Sequence, residues 1–382
     1  MSRSLTWQAS VLSRSRQSGL SLVELMVAMV ISLLILAALV ALFTNTSRSN
    51  REFARANSMI ESGRLAVQVL EADVVHAGFW GTFVAAFDDQ TASGVPVDTP
   101  TFVPDPCLAY NPANWNAAYV NSLIGVPVEA YDDATVCPGI ITDRLAGTDV
   151  LVVRHVENCV PGVGNCEAAV AGRLYFQGSL CDTDLVAYRF DDDPAAFDLS
   201  KRDCVTPAEQ RRFMSTIYYV RDYSETPGDG IPTLMRSEFD FAGGALAQQP
   251  AVPLIEGIQG FRVELGIDDL SETGGAVNYA AAVNWVDPDT RETATNRGDG
   301  VPDAEFVHCT TAVPCTVADL TNVTAVRLYL LARTRDGSQG FNDSKTYTLG
   351  DAVLGPFNDA FPRHLFVTTI RLPNILGRRI RP

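Results

Sequence analysis

The chain has 382 residues, of which 47% are apolar and 19% charged, the proportions of an ordinary folded protein with enough apolar side chains to bury a core. Its formal charge is −16 and its basic residues are nearly all arginine, so nucleic acid is disfavoured as a partner because the surface would repel phosphate. Eight cysteines, Cys107, Cys137, Cys159, Cys166, Cys181, Cys204, Cys309 and Cys315, include no C-x-x-C pair, which argues against a zinc ribbon or thioredoxin-like site and for disulfides made in an oxidising compartment.

At the N-terminus Arg3, Arg14 and Arg16 precede an apolar stretch, Leu20–Phe43, whose only charge is Glu24. As a helix this stretch is long enough to cross about 30 Å of hydrocarbon. The arginines keep the first residues in the cytoplasm and send the rest outward. A secretory signal peptide would have an apolar core of about 7–15 residues and a small-x-small cleavage site, and neither is present. A plain signal anchor fits the length but leaves Glu24 without a purpose, since a carboxylate in hydrocarbon costs on the order of 3 kcal/mol.

The run Ser18-Gly19-Leu20-Ser21-Leu22-Val23-Glu24-Leu25 resembles the signal of type IV prepilins and type II secretion pseudopilins, with a basic leader ending in Gly and Glu fifth in the mature chain. Leu20 stands where Phe is commonest. The resemblance implies that a prepilin peptidase cuts between Gly19 and Leu20 and N-methylates the Leu20 amine. It also implies that Glu24 of one subunit neutralises the Leu20 amine of a neighbour in the filament, because two unpaired charges in a low dielectric are costlier than the pair. The simpler role for Glu24 is to stabilise its own helix N-terminus.

Beyond the membrane the helical pattern continues. Phe53, Ala56, Ile60, Gly63, Val67, Leu70, Val74 and Ala77 recur at spacings of three and four, with charged residues between them. The expected organisation is a leader over 1–19 and a helix within 20–80, transmembrane to about 43 and amphipathic from 44 to 77. A loop- and cysteine-rich variable region over 81–210 and a β-sheet region over 211–382 follow.

From Gly81 to about Asp143 the chain is rich in Pro, Gly, Asn and Asp and reads as a long decorated loop. Strands are expected at Asp149–Val156, Leu185–Phe190, Ser215–Arg221, Thr233–Phe239, Gly260–Ile267, Val323–Arg333, Lys345–Leu349 and Leu365–Leu372. In Val323–Arg333 the residues Val326, Leu328 and Leu330 fall on one face, and Arg327, Tyr329 and Arg333 on the other. The expected class is α+β, a long N-terminal helix packed on an antiparallel sheet. Proximity in sequence pairs Cys107 with Cys137, Cys159 with Cys166, Cys181 with Cys204 and Cys309 with Cys315.

The runs Ile217–Arg221, Leu254–Asp268, Val326–Arg333 and Phe366–Asn374 look like the PilW family of minor pilins. That resemblance implies a type IV pilin-like fold and a structural subunit at or near the filament tip that helps initiate assembly. The implied partners are other minor pilins and the major pilin through the N-terminal helix, the prepilin peptidase, the inner membrane and a tip adhesin. A large pseudopilin of a type II secretion system would share the signal and the fold, and a membrane-anchored periplasmic binding protein is the alternative of a different class.

No catalytic motif stands out. His76, His155, His308 and His364 have no metal-ligand spacing, and no nucleophile elbow, P-loop or dinucleotide fingerprint is present. The segment Asn296–Glu305 resembles a calcium loop, with Asp299, Asp303 and Glu305 as candidate ligands and no other cofactor expected. Thr295 and Arg297 stand where two further oxygens are needed, so the alternative is a Gly-Asp-Gly turn, as repeated at Gly228-Asp229-Gly230.

Overall fold

The computed structural model describes Gly19 and residues 21–132 and 136–379. The chain divides into two compact units, Met1–Ala54 and Arg55–Pro382, and the division falls inside the first helix, α1 (Leu22–Val74).

In the first unit α1 is unbroken by Pro or Gly and rich in Leu, Ala, Met and Ile, which lose little rotamer freedom in a helix or pack well in lipid. An 18-residue window of this helix has mean hydropathy 3.0 and none of it is buried. Every residue from 21 to 46 is exposed.

In the second unit the buried face of α1 is Met59, Gly63, Ala66, Leu70 and Val74. The expected stripe is therefore corrected at four places. Met59 and Ala66 take the positions assigned to Ile60 and Val67, which are half-buried, and Phe53 and Ala56 are exposed. Packing starts only where α1 meets the sheet, and Gly63 permits the approach, since a Cβ there would lie 2.1 Å from the Phe366 ring. The helix ends in a tightened turn, Ala77 N donating to Val74 O, followed by Gly78 at φ +71°.

Among the described residues the head holds thirteen strands, all antiparallel where they pair. An eight-stranded sheet runs β1 (Val128–Tyr131), β2 (Val150–Val156), β5 (Gln210–Arg221), β3 (Tyr175–Gly178), β4 (Tyr188–Asp191). On it β6 (Thr233–Ala242) pairs with β5, and both β7 (Ala245–Gln248) and β8 (Val252–Glu256) pair with β6. A three-stranded sheet has the order β13 (Arg363–Arg371), β10 (Val323–Arg333), β9 (Ile258–Ile267), and β11 (Tyr347–Leu349) with β12 (Ala352–Leu354) forms a hairpin. Short helices α2 (Ala117–Gly125), α3 (Val317–Thr321) and α4 (Pro373–Arg379) complete the list.

One core is shared by the helix and both larger sheets: Ala66, Leu70 and Val74 meet Leu151, Val153 and Tyr218 as well as Val263, Val326 and Leu328. On the far face of the large sheet Val150, Val152, Ile217, Tyr219 and Met235 cluster with Cys137 and Ile141. Aromatic residues Trp80, Trp115, Phe176, Phe213 and Phe239 build a further cluster with α2. β2 is covered on both faces, and all seven of its residues are buried, Arg154 and His155 included.

The α+β class with a long N-terminal helix on antiparallel sheet is what the structure has. Two expectations change. Three sheets replace the single one, and the stretch from Gly81 to about Asp143, expected as a decorated loop, holds α2 and β1, with β3 a further strand beside the expected β2 and β4. Arg333 also departs from its expected exposed face. It is buried, its guanidinium 4.2 Å over the Phe361 ring and bonded to the Gly230 carbonyl.

Candidate functional site

The membrane end of α1 begins with a reciprocal cap. Glu24 N donates to Ser21 Oγ (3.2 Å), and Ser21 N donates to Glu24 Oε2 (2.8 Å). This satisfies two of the orphan N–H groups of the helix start and sets the carboxylate over its positive end. Gly19 is exposed, whereas Leu20 and the leader arginines lie outside the described residues. Glu24 keeps its second carboxylate oxygen for another donor, since one N–H occupies only Oε2.

At the other end of α1 the helix is fastened to the head by polar groups. Asp73 accepts from His155 Nε2 on β2 (2.8 Å) and from Tyr218 Oη on β5 (3.0 Å). The other ring nitrogen of His155 faces the Val156 carbonyl (2.9 Å), so both nitrogens are placed to donate, an arrangement that favours the imidazolium. Burial opposes that charge, but Asp73 outweighs it and His155 titrates above its ordinary range.

The C-terminal helix closes over the same junction. Asn374 Nδ2 donates to the carbonyls of Val75 (3.0 Å) and Ala77 (3.3 Å), beyond the last turn of α1. Arg379, buried, bridges Asp88 (3.3 Å) and Asp268 (2.8 Å), while Arg378 reaches Asp88 at 3.2 Å. Asp88, Asp268 and Arg379 are far apart in sequence, and no spacing rule brings them together. Their one signal is the Arg-Arg pair at Arg378 and Arg379, in a chain short of cations.

Arg379 also bears on the Asp299 loop. The N–H groups of Asp299 (3.1 Å) and Gly300 (2.8 Å) donate to the Asp268 carboxylate, which makes this turn a nest for an anion of the protein itself. The Asp299 carboxylate turns to Val301 N (2.9 Å), that of Asp303 to Leu270 N (2.7 Å), and Glu305 is exposed. The structure therefore does not gather the three candidate calcium ligands, and Arg379 supplies the cation beside Asp268. Among the described residues no group of three or more His, Cys, Asp or Glu side chains is placed to hold a metal.

The eight cysteines form four disulfides, Cys107–Cys137, Cys159–Cys166, Cys181–Cys204 and Cys309–Cys315. A further buried ion pair joins Arg154 of β2 to Glu129 of β1. Burial pushes the Glu129 carboxyl up to about 7 although Arg154 draws it down.

Residues 217–374 match the family described as Type IV Pilus-assembly protein W, and residues 14–40 match the prokaryotic N-terminal methylation motif. No curated protein matches the chain. Among solved structures, a type IV-like pilin from Thermus thermophilus is similar at 17% identity over 60% of this chain and 80% of that one, with a TM-score of 0.24. The matched regions take in the N-terminal helix start and strands β6 to β13 together with most of β5's C-terminal half. A prepilin methylation motif on an apolar helix at one end and the PilW pilus-assembly domain at the other are the make-up of a type IV pilin, anchored in the inner membrane and becoming part of a pilus.

Proposed function

We propose that the chain is a minor pilin that sits at or near the tip of the filament and helps initiate its assembly, with association and not catalysis as its work. The observation that carries this reading is the pilus-assembly domain behind a prepilin motif. The same domain favours a pilus over a type II secretion apparatus. A head built from residues 55–382 on a single packing helix is bulky for a subunit repeated along a shaft, which favours a place at the end. The partners in this reading are other minor pilins and the major pilin, met through α1, with a tip adhesin above.

Processing is assigned to the bond between Gly19 and Leu20, freeing the Leu20 amine for methylation. During assembly Glu24 of one subunit then takes that amine of the next. Its cap on Ser21 leaves it room to do so, since one carboxylate can serve both donors. The test is a deletion strain and quantitative mass spectrometry of sheared filaments. The reading expects loss of most pili on deletion and, in the complemented strain, a share of this chain far below that of the major pilin. Unchanged pilus number, or a share equal to the shaft subunit's, would overturn it.

A further inference from the structure

β13 stands at the end of the three-stranded sheet and pairs with β10 on one side only. Thr334 N donates to Pro362 O and Leu372 N donates to Thr324 O. In the same register 332/364, 330/366, 328/368 and 326/370 are the hydrogen-bonded pairs of the ladder. The N–H and C=O groups of Leu365, Val367 and Thr369 consequently point away from β10. Among the described residues no backbone hydrogen bond reaches them, Val367 is 53% exposed and Thr369 is exposed.

Sheet edges of this kind are ordinarily blunted by a proline, a bulge or a covering element. β13 contains no proline, and its nine-residue register with β10 runs without a shift. What an open row of N–H and C=O groups recognises is another extended main chain. The side chains narrow the choice. β13 carries no acid in a chain with 45 acidic against 29 basic residues, and of its bases Arg363 is buried and paired with Asp343 and Asp359 while His364 and Arg371 are exposed. Arg371 is exposed and has no ion-pair partner among the described residues. A second copy fits poorly, because self-pairing of two β13 edges would bring Arg371 no acid.

We propose that the free edge of β13 accepts an extended, acid-bearing segment of a neighbouring, different pilin by β-strand addition. This rests on the pilin reading above and names the surface through which the head meets its partner.

Val367 offers a clean test, since its N–H faces outward and a proline there removes no bond to β10. Full-length V367P is expressed in the host alongside wild type, with T368P, which breaks the ladder, as the folding control. Folding is read by thermal melting in detergent and assembly by the amount of the chain in sheared filaments. The expectation is a V367P protein that melts near wild type yet enters filaments about tenfold less, as loss of main-chain pairing predicts. In parallel, a photo-reactive benzoyl-phenylalanine at Thr369 should cross-link to a different prepilin-type protein, identified by mass spectrometry. If V367P fails to fold, the Thr369 adduct decides alone. V367P entering filaments at the wild-type level, no adduct at Thr369, or an adduct only between two copies of this chain would each overturn the edge proposal and leave the pilin reading standing. Wild-type chain absent from sheared filaments would overturn both.

Discussion

A carboxylate in the first turn of an apolar helix needs a donor, and in the single chain Ser21 provides one to Glu24 at 2.8 Å. If capping were the whole role, Glu24→Leu would lose on the order of 1 kcal/mol of helix-end stability and remove a desolvation cost in exchange. Insertion and assembly would then survive. With the carboxylate also receiving a neighbour's Leu20 amine, the variant should insert and be processed but drop out of sheared filaments, because the amine is left unpaired in an apolar core. Wild-type incorporation would reject the pairing role. A second residue, Glu129, sets a pH dependence. Its folded pKa of about 7 lies above the ordinary 4.5, so its contribution to stability is fully present below pH 4.5 and is lost as pH rises through about 7. His155, raised above 6.5, has the same sign and loses its contribution at higher pH. The melting temperature should therefore fall as pH is raised from about 5 to about 8, and Glu129→Gln should flatten part of that slope. An unchanged slope in the variant would show that Glu129 does not titrate there.

At the level of elements, the joint between α1 and the sheets rests on one close approach and one clamp. Gly63 lets the helix settle against Phe366 of β13, and Gly63→Val should destabilise the head by about 1–3 kcal/mol through overpacking, read by chemical denaturation. An unaffected midpoint would mean the helix can lift there without loss. Arg379 is a heavier contact, since Asp88 and Asp268 are both buried and both depend on it. Burial, with the nearby Asp299 charge, holds the Asp268 carboxyl above its ordinary range, although Arg379 draws it down. Removing the cation in Arg379→Leu should cost about 3–5 kcal/mol, the penalty for stranding a buried carboxylate, and should loosen α4 first in hydrogen exchange.

Across the whole molecule, legibility followed length and periodicity. β10 and the buried half of α1 are long enough for alternation or the 3.6 period to emerge, and their residues were readable as core. β1, β3 and β7 have four residues each, too few for a pattern, and lie among turn-forming residues, so the sequence does not announce them although they extend the large sheet. β2 was found as a strand, but its charged residues could not announce that both its faces are covered. At the N-terminus a local motif suffices, because Gly19, Leu20 and Glu24 lie within six residues of one another. The clamp of Arg379 on Asp88 and Asp268 is long-range and left no local trace. The disulfides belong to this scale too. The Cys107–Cys137 link closes a separation of 30 residues and Cys159–Cys166 one of 7, so by chain entropy the first should contribute more, about 3.6 against about 2.4 kcal/mol. Serine pairs at each bridge, compared by denaturation, should reproduce that order, and the reverse order would show that native contacts dominate over loop closure. The central claim, that this is a processed pilus subunit, is tested most directly by mass spectrometry of the chain recovered from sheared filaments of its host. The account predicts a mature N-terminus at N-methylated Leu20, and an intact Met1 or a terminus beyond Phe43 would contradict it.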